Sequence, residues 1–425
     1  MLRYALILCL LAPSVFGQVA GRVTGSVLDA SGAAIPGAKI ELLLPGGANA
    51  VLSATTNEEG LFQLMGVQPT TYSLTVSASG FVSQTFQAVK VDPGREFSMA
   101  AVKLEVASVT STVDVSAVVQ TVQTANAEVS TTVTADQVAR LPLLDRNPLA
   151  LLGTQAGVNY TGRGATVING QRTSFSSVTM DGISVQDNFI RSNGLDFTPN
   201  RLELDQVSEF TIATSNSGAT VGGGASQVMF VTPSGTNRYS GSAYWSNRNN
   251  SLAANDWFNN KDGVENTFLN QNQIGGSLGG PIVKDKLLFY ANYEAMRRRQ
   301  SYPLQRTILT SEARNGIYTY RDLGGNIQQV NILTMGGVSA DPYMQKLLEM
   351  VPGGDKINNY RTGDSRDGFM RNTGGYAFNG RYNTVRDNVT GKLDYNHSVR
   401  HVFSGTYSWN RDIVDRPTYG TDFSA

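Results

Sequence analysis

Residues 273–299 read QIGGSLGGPIVKDKLLFYANYEAMRRR. In the first half, Ile274, Gly276, Leu278, Gly280 and Ile282 share one face, and Gln273, Gly275, Ser277 and Gly279 the other. In the second, Leu287, Phe289, Ala291, Tyr293 and Ala295 oppose Leu288, Tyr290, Asn292 and Glu294. Successive side chains of a strand point to opposite faces, so this predicts two amphipathic strands joined by the charged turn Val283–Lys286. The pattern recurs. Tyr239, Gly241, Ala243 and Trp245 alternate with Ser240, Ser242, Tyr244 and Ser246; Val389, Gly391, Leu393 and Tyr395 with Thr390, Lys392, Asp394 and Asn396. His401, Phe403, Gly405, Tyr407 and Trp409 alternate with Val402, Ser404, Thr406, Ser408 and Asn410. An apolar face, a small polar face and Tyr or Trp near strand ends are the pattern of a transmembrane β-barrel. A soluble sheet resting on a core has the same period of two. The polar joins at 247–270 and 300–375 suit extracellular loops, and the short joins Val283–Lys286 and Asn396–Arg400 suit periplasmic turns.

Earlier in the chain the spacing changes. GRVTGSVLDASGAAIPGAKIELL, VLSATTNEEGLFQLMGV and TYSLTVSASGF alternate short apolar runs with Gly, Pro and Asn turn signals, which predicts a small β-sandwich. Its core would be Val27, Ile40, Leu42, Phe62, Leu64, Tyr72, Leu74 and Val76. Val106 to Ala125 is a Val/Thr/Ser-rich connection. Thr134 then caps a short helix that ends before Pro142, and a second begins at Arg146-Asn147-Pro148. Strand-like runs around Ile168, Val178, Phe210 and Val228 follow, giving a mixed α/β domain.

Composition narrows the class. Lys+Arg and Asp+Glu are balanced at 34 each, so no basic field draws the chain to nucleic acid; Arg297–Arg299 is too short a run to make one. Charged residues are only 16% and glycine numbers 44, a composition typical of exported β proteins. Met1-Leu-Arg, an apolar run from Tyr4 to Ala12, and the small residues before Gln18 predict a signal peptide over 1–17, too short to span a bilayer as a helix. Cys9, the one cysteine, lies inside it, so no disulfide framework or thiol chemistry is expected of the mature chain.

Two resemblances follow from quoted stretches. GSVLDASGAAIPGAKIEL, TNEEGLFQL and YSLTVSASGF resemble the carboxypeptidase regulatory-like domain, which implies a transthyretin-like sandwich over 18–105 without peptidase chemistry. VTADQVARLPLLDRNPLALLGTQAGV (133–158), VINGQR (167–172), VTMDGISVQD (178–187), LELDQVSEFTIATS (202–215) and VGGGASQVMFVTPSGTNRYSG (221–241) resemble the plug of TonB-dependent outer-membrane receptors. GGSLGGPIVKDKLLFYANYE is similar to early barrel strands of the Oar-like members, which carry the regulatory-like domain in front. This implies a mainly β protein: sandwich, a linker over 106–129, an α/β plug over 130–236, and the first strands of an incomplete barrel over 237–425. Asn169-Gly170 stands where the family has Arg-Gly, and Ala213-Thr-Ser-Asn216 where it has Arg-Gly-Pro, so ligand specificity does not carry over.

The resemblance implies roles for particular residues. Thr112, Val113, Asp114, Val115, Ser116 and Ala117 are similar to a TonB box, which adds as a strand to an energising inner-membrane protein; an ordinary linker strand is the other reading. Asn169, Gly170, Asp181, Gly182, Gly222, Gly223 and Gly224 would be structural turns of the plug. Leu287, Phe289, Ala291 and Tyr293 would face outer-membrane lipid, and Tyr290, Asn292 and Glu294 the lumen. No cofactor, metal or catalytic group is expected: His397 and His401 flank a turn with no third ligand, and no P-loop or Gly-x-Ser-x-Gly elbow occurs. Strands of nine to eleven residues give about eight spans after Tyr239, too few for a plugged barrel of roughly 22. A fragment of a longer receptor is therefore expected. Two functions remain in view: uptake of a large solute, a carbohydrate or an iron chelate, and a surface structural or adhesive role for the sandwich.

Overall fold

The computed structural model describes residues 20–107, 112–115, 128–141, 143, 146–160, 166–171, 175–186, 202–216, 226–255, 257, 260, 265–365, 372–399 and 401–416. The expected signal peptide, residues 1–17, lies outside these. Two compact units divide the chain: Met1–Ala243 with Gly275–Glu294 and Asn388–Asn410, and Tyr244–Ile274 with Ala295–Asp387 and Arg411–Ala425.

The first unit begins with the sandwich. Its strands are β1 (Gly21–Asp29), β2 (Lys39–Leu43), β3 (Ala50–Thr55), β4 (Leu61–Val67), β5 (Thr70–Ser77), β6 (Ser83–Val91), β7 (Glu96–Ser98), β8 (Val102–Leu104) and β9 (Thr112–Val115). One sheet runs β4-β1-β7 with β8 also on β1, the other β3-β2-β5-β6-β9. All eight residues expected in the core are buried, at most 4% exposed, because each occupies the inward position of an alternating strand. Leu288, from far along the chain, joins the same cluster.

The middle domain follows. Helix Ala135–Arg140 starts at a capping box in which Thr134 and Gln137 satisfy each other's backbone, and a 3-10 helix, Pro148–Thr154, is capped by Asn147. Strands β10 (Val129–Val133), β11 (Val158–Asn159), β12 (Val167–Ile168), β13 (Ser176–Met180), β14 (Ile183–Ser184), β15 (Glu209–Ser215) and β16 (Ser226–Val231) complete it. The main sheet runs β10-β15-β16-β13-β14, with β13 parallel to β16. Both of those strands are buried on both faces, and Phe210 and Phe230 meet across the sheet at 4.9 Å.

The C-terminal part supplies a six-stranded sheet: β17 (Ser240–Asn249), β18 (Leu269–Val283), β19 (Leu287–Leu309), β22 (Thr373–Arg381), β23 (Asn383–Ser398) and β24 (His401–Asp415), in the order β17-β18-β19-β23-β24 with β22 also on β19. The chain length could accommodate about eight spans. Among the described residues, the hairpin of β20 (Ile317–Arg321) and β21 (Ile327–Asn331) forms a separate two-stranded sheet instead. The stretch expected to be an irregular loop from residue 300 is also more ordered. β19 continues to Leu309, and helices Ser311–Arg314, Ile332–Gly336 and Pro342–Glu349 flank the hairpin. Asp364 accepts from the backbone amides of Asn372 and Thr373, closing that connection onto β22.

Candidate functional site: a polar seam on the strand wall

Strand β23 shows how the wall is dressed. From Asn388 onward, Asn388, Thr390, Lys392 and Asp394 are buried, while Val389, Leu393 and Tyr395 are 37%, 52% and 41% exposed. On β19, Tyr290 is half-buried, Asn292 and Glu294 are buried, and Ala291 and Tyr293 are exposed. Leu287 and Phe289 are half-buried, the Phe289 ring lying 6.5 Å from Tyr239 on the same outer face. Exposed apolar and buried polar positions invert the dressing of a water-soluble sheet and match a barrel wall with lipid outside.

The middle domain covers the polar face through three contacts. The 3-10 turn Leu204–Gln206 delivers Gln206. The Gln206 Oε1 accepts the Glu203 amide at 3.0 Å, which orients the side chain toward the wall. Its Nε2 then donates to Asn388 Oδ1 (2.6 Å), Thr390 Oγ1 (2.5 Å) and Ser408 Oγ (3.1 Å), three acceptors sharing two hydrogens.

The second contact is the tip of the β13–β14 hairpin, where Asp181 (φ 50°) and Gly182 (φ 85°) form a two-residue left-handed turn. The Asp181 carboxylate accepts from the Thr232 amide at 3.0 Å and from Thr406 Oγ1 of β24 at 2.9 Å. Lys392 of β23 stands 3.7 Å from Asp181 and donates to the Thr232 carbonyl at 3.0 Å. The third is Arg146, with its guanidinium 3.2 Å from Asp205 and 3.5 Å from the buried Glu294 of β19. Beside it the Tyr290 hydroxyl donates to the Asp205 carbonyl at 2.7 Å.

The sandwich meets the same unit at the β18–β19 turn. Asp285, itself at φ 60° and 7% exposed, accepts from Asn237 Nδ2 (2.7 Å), the Ala48 amide (3.2 Å) and Asn49 Nδ2 (3.1 Å). Its backbone carbonyl accepts from Asn396 Nδ2 at 2.8 Å, so one turn joins the sandwich, the end of the middle domain and the β23–β24 end of the wall. Burial opposes ionisation here, but these donors outweigh it and hold the Asp285 carboxyl below its usual range. A second bond to the wall runs from Gln68 to Asp394 (3.3 Å).

Lys90 of β6 pairs with Glu209 of β15 at 2.8 Å and with Asp92 at 3.2 Å. The two partners shift in ways that look contradictory. Burial pushes the Glu209 carboxyl up, and Lys90 recovers only part of that. Burial alone would lower Lys90, but Glu209 and Asp92 raise it overall. Both follow from geometry: the carboxylate carries the desolvation cost, while the lysine remains 39% exposed.

Of the residues nominated from sequence, Thr112, Val113, Asp114 and Val115 form β9, paired in parallel with β6 from Ser83 to Phe86. Ser116, Ala117, Gly222, Gly223 and Gly224 lie outside the described residues. Asn169 (φ 49°) and Gly170 (φ 73°) form a second left-handed turn, with Asn169 Nδ2 donating to the Thr214 carbonyl at 3.0 Å. Asp181 carries more than its turn, since its carboxylate reaches the wall. Gln206, Arg146, Asp285 and Lys90 were not nominated. His397 contacts the Tyr395 hydroxyl and His401 the Ser398 hydroxyl. Among the described residues, no group of three or more His, Cys, Asp or Glu could hold a metal.

Residues 231–424 match the outer membrane beta barrel domain, and residues 22–105 the carboxypeptidase regulatory-like domain. No curated protein matches the chain. Among solved structures, the outer membrane transporter YddB from Escherichia coli aligns at 14% identity and a TM-score of 0.41, covering 67% of this chain and 33% of that one. A variant of the ferric enterobactin receptor PfeA from Pseudomonas aeruginosa, in complex with enterobactin, aligns at 15% identity and 0.37, covering 68% and 34%. A type II cohesin–X-dockerin complex from Acetivibrio cellulolyticus aligns at 16% identity and 0.17, covering 20% and 56%. The chain thus spans about a third of the length of the transporter and the receptor (33% and 34%). With its inverted wall and its two matched domains, the chain is an outer-membrane protein that joins a carboxypeptidase regulatory-like sandwich to an outer membrane β-barrel domain.

Proposed function

We propose that the middle domain is a plug and that the chain belongs to an energised receptor for uptake of a solute too large for porins. The observation that carries this reading is the seam. The polar face of the wall is filled by a folded domain bound through Gln206, Asp181 and Arg146, by hydrogen bonds and ion pairs. Such contacts exchange readily for water, so a plug held this way can be remodelled without exposing an apolar core. The outer membrane has no nucleotide supply, so the work must come from an inner-membrane partner of TonB type gripping an N-terminal segment; Thr112 to Ala117 is the candidate. Leu287, Phe289, Ala291 and Tyr293 would then face lipid, and the solute would be a carbohydrate or an iron chelate.

The position of the sandwich supports uptake over surface adhesion. It binds at the short-turn end of the strands, through Asp285 and Asp394, and short turns are periplasmic in such barrels. A surface adhesin would place it beside the long connections. The test is capture of the full chain, in outer-membrane vesicles opened to the periplasmic face, by the periplasmic domain of a TonB-type protein. Capture should depend on residues 112–117. Equal capture by a chain with that segment scrambled would overturn the reading.

A further inference from the structure

Tyr382 is the single residue between β22 and β23, and both of those strands pair with β19. Its amide donates to the Gln300 carbonyl at 2.6 Å, which keeps the break against β19. An interruption of this kind re-aims the side chain it carries. Three groups meet the Tyr382 ring. Tyr302 of β19 stands edge-on, with centroids 5.3 Å apart and planes at 84°, and so fixes the ring plane. The guanidinium of Arg298 on β19 and that of Arg416, the residue after β24, each lie 5.7 Å from the ring centre. The two charges therefore stand at most twice 5.7 Å apart. That is close to the screening length of about 10 Å at 0.1 M salt.

The surroundings set which face this is. Arg298 donates to Thr384 Oγ1 at 3.0 Å, and Thr384 is buried in step with Asn388 and Thr390 on the polar face of β23. On that face Arg386 is answered by Asp412 of β24 at 3.1 Å. Arg416 is exposed and has no carboxylate partner among the described residues, since Asp415 beside it engages Arg381 at 2.9 Å. Each guanidinium gains from the ring, but the pair repels, and an anion within reach of both relieves that repulsion. A neutral hydroxyl or amide gives no such relief. Guanidinium planes also present paired N–H groups at the spacing of carboxylate, sulfate or phosphate oxygens.

We propose that Arg298, Tyr382 and Arg416 form a binding site for an oxyanion group carried by the solute, so that the protein takes an anionic solute over a neutral one. An acidic oligosaccharide and a ferric carboxylate chelate both present that group; a neutral glycan does not. The inference rests on the uptake reading for calling the ligand a solute, but the site itself can be observed without it.

The experiment is titration calorimetry of the full chain in detergent with three probes: oligogalacturonate, its fully methyl-esterified neutral form, and ferric citrate. One anionic probe or both should bind at least about tenfold more tightly than the ester. Oligogalacturonate binding would make the source a saccharide, ferric citrate binding a chelate. Arg416→Gln should weaken the binding about tenfold while leaving the melting temperature unchanged, because the side chain is exposed. Arg416→Lys should recover only part of the loss, since an ammonium lacks the planar fork. Anionic probes that bind no better than the ester, equally well to the Arg416→Gln variant, or not at all would overturn the site. Capture of the same preparation by the periplasmic domain of a TonB-type protein decides the uptake reading separately. Binding without capture keeps the site and removes uptake; capture without binding does the reverse.

Discussion

Lys392 of the wall stands 3.7 Å from Asp181 at the tip of the β13–β14 hairpin, and both donate to or accept from Thr232. The lysine side chain is 7% exposed and the aspartate 17%, so neither charge is solvated while the domain is seated. Lys392→Met should lower stability by about 2 kcal/mol, the cost of leaving a mostly buried charge without its partner. Asp181→Asn should cost less, since the amide oxygen can still accept from Thr232 and Thr406. In thermal melts of the full chain in detergent, the double variant should fall short of the sum of the singles. Simple additivity would show that the two groups do not interact.

Gln206 is replaceable in volume but not in chemistry. Gln206→Leu leaves Asn388, Thr390 and Ser408 facing an apolar group, and should cost about 2 kcal/mol for the unmet acceptors. Gln206→Glu adds a carboxylate beside the same oxygens and should be worse. Protease sensitivity of the middle domain in native membranes reads both. A Leu variant as resistant as the parent would remove Gln206 from the account of how the middle domain is seated.

The Lys90–Glu209 pair is unequal. Because Glu209 bears the burial, Lys90→Met strands a carboxylate and should destabilise the contact between sandwich and middle domain by about 1–2 kcal/mol, a range reduced for the lysine's partial exposure. Glu209→Gln removes the buried charge, frees Lys90 to solvent and Asp92, and should be nearly neutral. Urea midpoints rank the two variants, and the reverse order would refute the assignment of the cost to Glu209.

Asp285 sets an acid limit on the rim. Its carboxyl is held below the ordinary carboxylate range in the folded chain, so it contributes stability above the unfolded value, near 3.9. That contribution is lost as the pH falls through the lowered folded value. Asp285→Asn should therefore weaken sandwich attachment at neutral pH yet flatten its decline between about pH 5 and 2. Melting profiles across that range compare the two, and parallel declines would mean other carboxylates govern acid release.

The sandwich, the mixed middle domain and the amphipathic wall were legible because each writes a period or a turn signal into the chain. Phe62 and Leu74 announce their burial by alternation, and Asp181-Gly182 its turn by residue type. The contacts that seat the middle domain have no such signature. Gln206 lies in a single 3-10 turn, and its acceptors at Asn388 and Thr390 stand 182 and 184 residues away. Asn388 and Thr390 read simply as the polar side of a strand; only the fold shows what they receive. Nothing in the charged turn Val283–Lys286 signals that Asp285 is buried, since its burial comes from Asn237, Ala48 and Asn49 arriving from elsewhere. The second polar stretch after residue 300 concealed strand because β19 runs on through Arg297 to Leu309 with polar residues on both sides.

Leu288 belongs by sequence to the wall and by packing to the sandwich, where it is 3% exposed among Ile40, Leu42 and Tyr72. The sandwich core therefore stays one side chain short until the β18–β19 hairpin is in place. Completion of that core and placement of the hairpin are thereby tied together through one side chain that both share.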